Sequence, residues 1–170
     1  MPRASVGARH GHRTCLTAPV GEVRTRLAGP DDALVVAALT LQCARHRGGS
    51  GEPGFLDRYA RAWLATENTH PVWIAEAGDD HAGYLQAAVV EPLPWPGRPA
   101  GAGADLVVDT FFVRPEHRGI GAGEVLLRAA VEWARDAGFR QVLVSAGIHT
   151  TAMVERVGFA ADARAYRMEL

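Results

Sequence analysis

The apolar positions of this chain change period several times, and each change marks an element. The densest stretch is Val107 to Gly123, VVDTFFVRPEHRGIGAG. Its valines and phenylalanines predict a strand in a sheet interior. Pro115 cannot donate to a ladder and keeps Arg114 out of the helical region, so the strand ends there. Arg118-Gly119-Ile120-Gly121-Ala122-Gly123 follows and opens a helix over Glu124 to Ala137, with Leu126, Ala130 and Trp133 on one stripe and Gly138 as its stop.

Upstream, Val23, Thr25 and Leu27 alternate with Arg24 and Arg26, which predicts a half-exposed strand over Glu22 to Leu27. Gly29-Pro30-Asp31-Asp32 supplies a turn and an N-cap for a helix reaching about Arg45. His46 to Gly54 is rich in breakers. Phe55 to Thr66 then carries Phe55, Tyr59 and Trp63 on one helical stripe, with Leu56, Ala60 and Leu64 beside it. Val72 to Glu76 and Ala82 to Glu91 read as paired strands joined at Gly78-Asp79-Asp80-His81. Pro92 to Gly103 is the longest irregular segment, a length often tied to function or mobility. After Gly138 come a short strand, Gln141 to Ser145, and a helix, Thr150 to Val157, closed by Gly158-Phe159. A last alternating strand, Arg164 to Leu170, places Tyr166, Met168 and Leu170 on one face.

This order predicts one α/β domain over residues 21–170, with a mixed, mostly antiparallel sheet (α+β in that sense) flanked by about four helices. Residues 1–20 hold Arg3, Arg9, Arg13, His10 and His12 and no acid, with prolines and glycines between them. They read as a disordered tail; no apolar stretch of a secretory signal is present. Composition narrows the function. The net charge of −1 gives no general attraction to nucleic acid, and no apolar run reaches the ~18 residues of a membrane span. All 18 basic residues are arginine, which rules out a lysine as catalytic amine. Cys15 and Cys43 lack metal-ligand spacing; no metal site is expected, and two cysteines suit a reducing, cytoplasmic setting.

Glycines let a backbone approach a ligand, and the first amides of a helix are unsatisfied donors at the positive end of its dipole. Beside Arg118, this run is therefore suited to phosphates. A P-loop needs Gly-Lys-Ser/Thr, and a dinucleotide fingerprint begins with glycine after the first strand. Neither fits. Arg-x-x-Gly-x-Gly after Val-Arg-Pro-Glu-His, ahead of a long helix, resembles the acyl-CoA motif of the GNAT acetyltransferase superfamily. The arginine-rich strand with Pro-Asp-Asp-Ala resembles the family's opening, and the likeness runs from about residue 22 to 170.

The resemblance implies an N-acetyltransferase that takes its acyl group from acetyl-CoA and passes it to an amine on a small molecule or peptide in a ternary complex. No cysteine stands near the centre to support an acyl-enzyme. Backbone around Phe111, Phe112 and Val113 is expected to hold pantetheine and thioester. The amides of Arg118, Gly119, Ile120, Gly121, Ala122 and Gly123 are expected to hold the pyrophosphate. In such a layout the first two helices and their loop border the acceptor, so Tyr59 and Trp63 are candidates for substrate contact, with core packing as the alternative. Trp95 is either a pocket wall or an exposed hairpin tip. A homodimer is common in the family; no sequence feature marks an interface.

Acyl transfer to an amine needs a neutral amine, a polarised carbonyl and a stabilised leaving thiolate. Asp109 is the base candidate. Alternation places it on one face with Phe111 and Val113, where an acid needs a partner or a purpose. An edge carboxylate paired with arginine, or one that orients the acceptor's ammonium, is the alternative. Aligned on Gly158-Phe159, Val154 stands where the family often has its leaving-group tyrosine, and Gly147 where asparagine is common. The thiol then leaves unprotonated, or His149 or Tyr166 substitutes; His149 equally suits a helix cap. His117 is expected to pack on the ligand loop. Because tyrosine and asparagine are missing, an acyl-CoA-binding module without turnover is the second reading.

Overall fold

The structure is a computed structural model and describes residues 23–94, 96–97, 103–145 and 150–161. The elements run β1 (Val23–Leu27), α1 (Ala33–His46), α2 (Phe55–Leu64), β2 (Val72–Ala77), β3 (Asp80–Val90), β4 (Asp105–Val113), α3 (Ala122–Asp136), β5 (Gln141–Val144) and α4 (Thr151–Val157). Single 3-10 turns at Pro30–Asp32 and Pro115–His117 precede α1 and α3. The strands lie in chain order, β1-β2-β3-β4-β5, with every pair antiparallel except β4 and β5, which run parallel. Four helices on a five-stranded mixed sheet are the α/β architecture expected above. The anticipated last strand, with Tyr166, lies outside the described residues, as do residues 1–20.

Two apolar layers cover the sheet. On one face α3 buries Leu126, Leu127 and Ala130 against Leu85, Leu106 and Val108. On the other α1 and α2 bury Val36, Leu39 and Trp63 against Ile74, Tyr84 and Phe112. Leu126 and Leu127 are essentially inaccessible, and each such side chain contributes about 1.5–3 kcal/mol by leaving water. Only one row of α2 is inward: Ala60 and Trp63 are buried, whereas Leu56 and Leu64 are exposed. The turn between β2 and β3 is tighter than expected, because Gly78 at φ 63° reverses the chain within two residues.

Strand β4 departs from simple alternation. Gln86 pairs with Thr110 and Ala87 with Val108, so Asp109 is an extra residue without a partner on β3. A bulge of this kind changes the parity of the strand. Leu106 and Val108 face α3, and beyond the bulge so do Phe111 and Val113, while Phe112 faces α1. The expectation that Asp109 shares a face with Phe111 and Val113 is therefore corrected. Its carboxylate meets Gln86, on the α1–α2 side.

Candidate active site

The parallel pair β4–β5 is zipped at one end only. Its register runs from Asp105 opposite Gln141 to Val108 opposite Val144, and no described strand continues it past Val108. From Asp109 to Val113 no described strand pairs with this edge of β4, and among the described residues Arg118 is the side chain that reaches it, at Val113 O. That edge borders a cleft of about 940 Å³. Phe111, Ala122, Gly123 and Met153 line it on the α3–α4 side, and His46, Arg47 and Phe112 on the α1 side. The opening thus reaches both faces of the sheet, with Asp109 where the strands part.

The far end of the cleft is the glycine turn. Gly119 and Gly121 take φ values of 79° and 87°, left-handed conformations that favour glycine, and a Cβ on either would meet no atom within 4 Å. Among the described residues, no acceptor faces the amides of Gly119 to Glu124; the first helical bond is Val125 N–H to Gly121 O, 3.1 Å. Gly121 caps α3 with no side chain, so the helix dipole ends in open space. Gly123 has a second duty. A Cβ there would stand 2.8 Å from Met153 Sδ and 2.9 Å from Phe111 Cζ. Its bareness lets α3 close onto α4 and β4.

Charge near the turn is mostly positive. Arg118 folds back, donating from Nε to Val113 O at 3.3 Å and from Nη2 to His46 Nε2 at 2.7 Å. His46 also lies 5.8 Å from Phe112, ring centre to ring centre. Arg156 stands 3.7 Å from Glu124, whose carboxylate accepts from Arg128 at 2.8 Å. The Arg128 bonds hold the Glu124 carboxyl below the usual carboxylate range. His117 keeps to the rim, 3.8 Å from Asp80. Unpaired amides, a helix N-terminus and adjoining arginines fit a diphosphate, and the free edge of β4 fits an extended arm with amide groups. These residues suit acyl-CoA.

The other sequence candidates fall in three groups. Phe111, Phe112, Val113, Arg118, Gly119, Ile120, Gly121, Ala122 and Gly123 lie together along β4 and the turn. Asp109 is exposed at the split, with Thr110 Oγ1 donating to its Oδ2 at 3.3 Å and Gln86 Nε2 at 3.5 Å. Tyr59 reaches the same region and donates its hydroxyl proton to Gln86 Oε1. Burial pushes its phenol above the ordinary value, and the Asp109 charge adds to this. Trp63 is buried, its indole N–H donating to His70 O at 2.9 Å. Trp95, His149 and Tyr166 lie outside the described residues. Val154, at the position of the family tyrosine, is buried in the α3-side core and offers no proton. Gln86 was not anticipated. An amide within an apolar strand, AGYLQAAVV at Ala82–Val90, was its signal.

The profile of the acetyltransferase (GNAT) family matches residues 37–159. The chain belongs to that family and is an acetyltransferase, with acetyl-CoA as acyl donor. A search of curated proteins finds no match. Among solved structures, a predicted acetyltransferase from Clostridium acetobutylicum with acetyl-CoA is similar at 15% identity, covering 87% of this chain and 96% of its own, with a TM-score of 0.69. An integron cassette protein from the mobile metagenome of Cole Harbour Salt Marsh is 25% identical, with coverage of 86% and 89% and a TM-score of 0.68. An aminoglycoside acetyltransferase from an uncultured soil metagenomic sample, in complex with sisomicin, is 14% identical, with coverage of 87% and 95% and a TM-score of 0.68. At such identities the likeness is one of fold. No described helix is long and apolar enough to cross a membrane, and no described cluster of His, Cys, Asp or Glu could hold a metal ion.

Proposed function

We propose that this protein acetylates a primary amine of a small molecule or peptide by direct attack in a ternary complex. The observation that carries the reading is the cleft through the sheet at the β4–β5 split, which opens toward α3–α4 and toward α1. The donor enters on the α3–α4 side, with its diphosphate on the amides of Gly119 to Glu124 and its arm along Asp109 to Val113. The acceptor enters from the α1–α2 side. When bound, acetyl-CoA supplies an activated acyl group on a thioester.

The residues of the chain then hold and move protons. Asp109 lies at the split with its carboxylate toward the acceptor side and takes the proton that an ammonium must lose before its nitrogen can attack. The nitrogen–carbon bond forms as the carbon–sulfur bond breaks; the sulfur keeps the electron pair, and the second proton that the nitrogen sheds on becoming an amide passes to solvent. With valine at 154, that thiolate leaves without a proton from α4. Edge amides of β4 polarise the carbonyl oxygen, a role for backbone donors that need no rearrangement. Antibiotic-like amines and peptide N-termini both remain within the acceptor class. Similar folds include the enzyme with sisomicin and a ribosomal-protein-alanine N-acetyltransferase from Brucella melitensis biovar Abortus 2308.

Thermal unfolding with acetyl-CoA, CoA, NAD and ATP tests the donor site. At a hundredfold excess over the dissociation constant, a ligand of the folded state adds about 2.7 kcal/mol. The midpoint is expected to rise with the CoA species alone, and Gly121→Trp to abolish that rise by filling the open space before the turn. A rise with NAD or ATP instead, or one indifferent to the substitution, would refute the assignment. The buried Val154 favours one other reading, an acyl-CoA-binding protein without turnover. CoA binding with no CoA release across a broad amine panel would support it.

A further inference from the structure

The bulge at Asp109 has a counterpart one strand away. Gln86 on β3 pairs with Thr110, the residue just past the bulge, and its side chain lies between two others. On one side Tyr59 of α2 donates its hydroxyl proton to Gln86 Oε1. On the other Gln86 Nε2 donates to Asp109 Oδ2, 3.5 Å away. An amide has one accepting end and one donating end. Because Tyr59 O–H claims the oxygen, the NH2 group can only point toward Asp109. Tyr59 is itself held: it is half-buried on α2, beside Phe55 at 5.6 Å between ring centres, and α2 is anchored by the buried Trp63.

Asp109, by contrast, has little to hold it. It has no ladder partner, its side chain is exposed, and no arginine pairs with it among the described residues. Its contacts are the amide of Gln86 and the hydroxyl of the adjacent Thr110. We infer that Gln86 is a positioning residue, which with Tyr59 aims the Asp109 carboxylate at the acceptor amine; the inference rests on Asp109 acting as the base. Tyr59 on this account spends its hydroxyl on Gln86 and takes no direct part in binding the acceptor. A carboxylate held by a neutral amide is oriented without a competing cation, which leaves its second oxygen for the incoming amine.

The test combines Gln86→Leu, Tyr59→Phe and Asp109→Asn, alone and in pairs, in the full chain. Turnover is read as CoA release with spermidine, sisomicin and a peptide beginning with alanine. Gln86→Leu is expected to lower kcat about 10-fold, less than the ~10²–10⁴-fold that a general base itself contributes, with the KM for acetyl-CoA and the melting midpoint unchanged. Tyr59→Phe is expected to act in the same direction and less. Neither should cost anything further in the Asp109→Asn background, because a residue that acts through Asp109 has nothing left to position. Losses that add in that background, or that appear only in the KM for acetyl-CoA, would overturn the inference. Full activity of Asp109→Asn by itself would instead sink the base assignment. A second readout needs no acceptor. With ring-labelled tyrosine, Asp109→Asn is expected to move the Tyr59 Cζ resonance further in the parent chain than in Gln86→Leu, where only the through-space effect of the charge is left. Equal movement in both would overturn the coupling whichever amines are accepted.

Discussion

The two ends of the β4–β5 pair are built in opposite ways. At the start of β4, contacts accumulate. Gly103 approaches Gly138 so closely that a Cβ would strike the Gly138 carbonyl oxygen. Arg140 N–H donates to Ala104 O at 2.9 Å, Arg140 Nε to Asp105 Oδ1 at 2.9 Å, and Gln141 Nε2 to Asp105 Oδ2 at 2.9 Å. At the other end the ladder stops at Val108 and Val144, and the next residue is the bulge. Parallel strands share no tight turn to hold them in register. Here the clamp at Asp105 takes that part, and the bulge at Asp109 helps the far end stay apart.

Several measurements would break or sharpen this contrast. The largest effect is expected at the open end: Asp109→Asn should lower kcat about 10²–10⁴-fold while shifting stability by no more than about 0.5 kcal/mol, as for other exposed sites. Steady-state kinetics with thermal melts separate the two. The clamped end should show the reverse. Gly103→Val forces a side chain into the Gly138 carbonyl and should cost about 3 kcal/mol, measured by denaturant unfolding, while the remaining folded protein still gains stability from acetyl-CoA. If Gly103→Val abolished the ligand response at concentrations where it is folded, the two ends would not be independent.

Asp105→Asn should act more mildly in the same sense, lowering the melting midpoint and leaving the KM for acetyl-CoA unchanged, because Arg140 and Gln141 lose a charged partner far from the turn. The smallest effect lies away from both ends. The Arg26 guanidinium, 2.6 Å from Asp32, holds that carboxyl below the usual aspartate range. A carboxyl depressed in the folded state contributes stability that is whole above its unfolded value and is lost as pH falls through the folded one. In acid melts the advantage of the parent over Asp32→Asn should therefore be steady at neutral pH and fade below the ordinary aspartate value. An advantage that grew on acidification would contradict the assignment.

The course of the chain was largely legible in its residues. Gly138 and Gly158 end α3 and α4 in left-handed conformations, at φ 72° and 107°, and the Pro-Asp-Asp turn leads into α1, because caps and breakers act over a few neighbours. The glycine turn was legible for the same reason, since positive φ at Gly119 and Gly121 is a local demand. Two features that local pattern does not settle share a cause. The outer row of α2, Leu56 and Leu64, has the same spacing as its inner row, and periodicity does not say which row a sheet will cover. The face of Asp109 depended on one extra residue relative to β3, which alternation within β4 cannot reveal.

What the sequence by itself determined, then, is where strands and helices begin and end and that a glycine turn opening a helix lies between Val113 and Glu124. What only the tertiary structure decided is the bulge, the one-ended zipper of β4 and β5, and the line from Tyr59 through Gln86 to Asp109. Those features arise between segments distant in the chain, Gln86 and Asp109 from two strands and Tyr59 from a helix. The hydrogen bonds that select them exist only once the strands have settled in register.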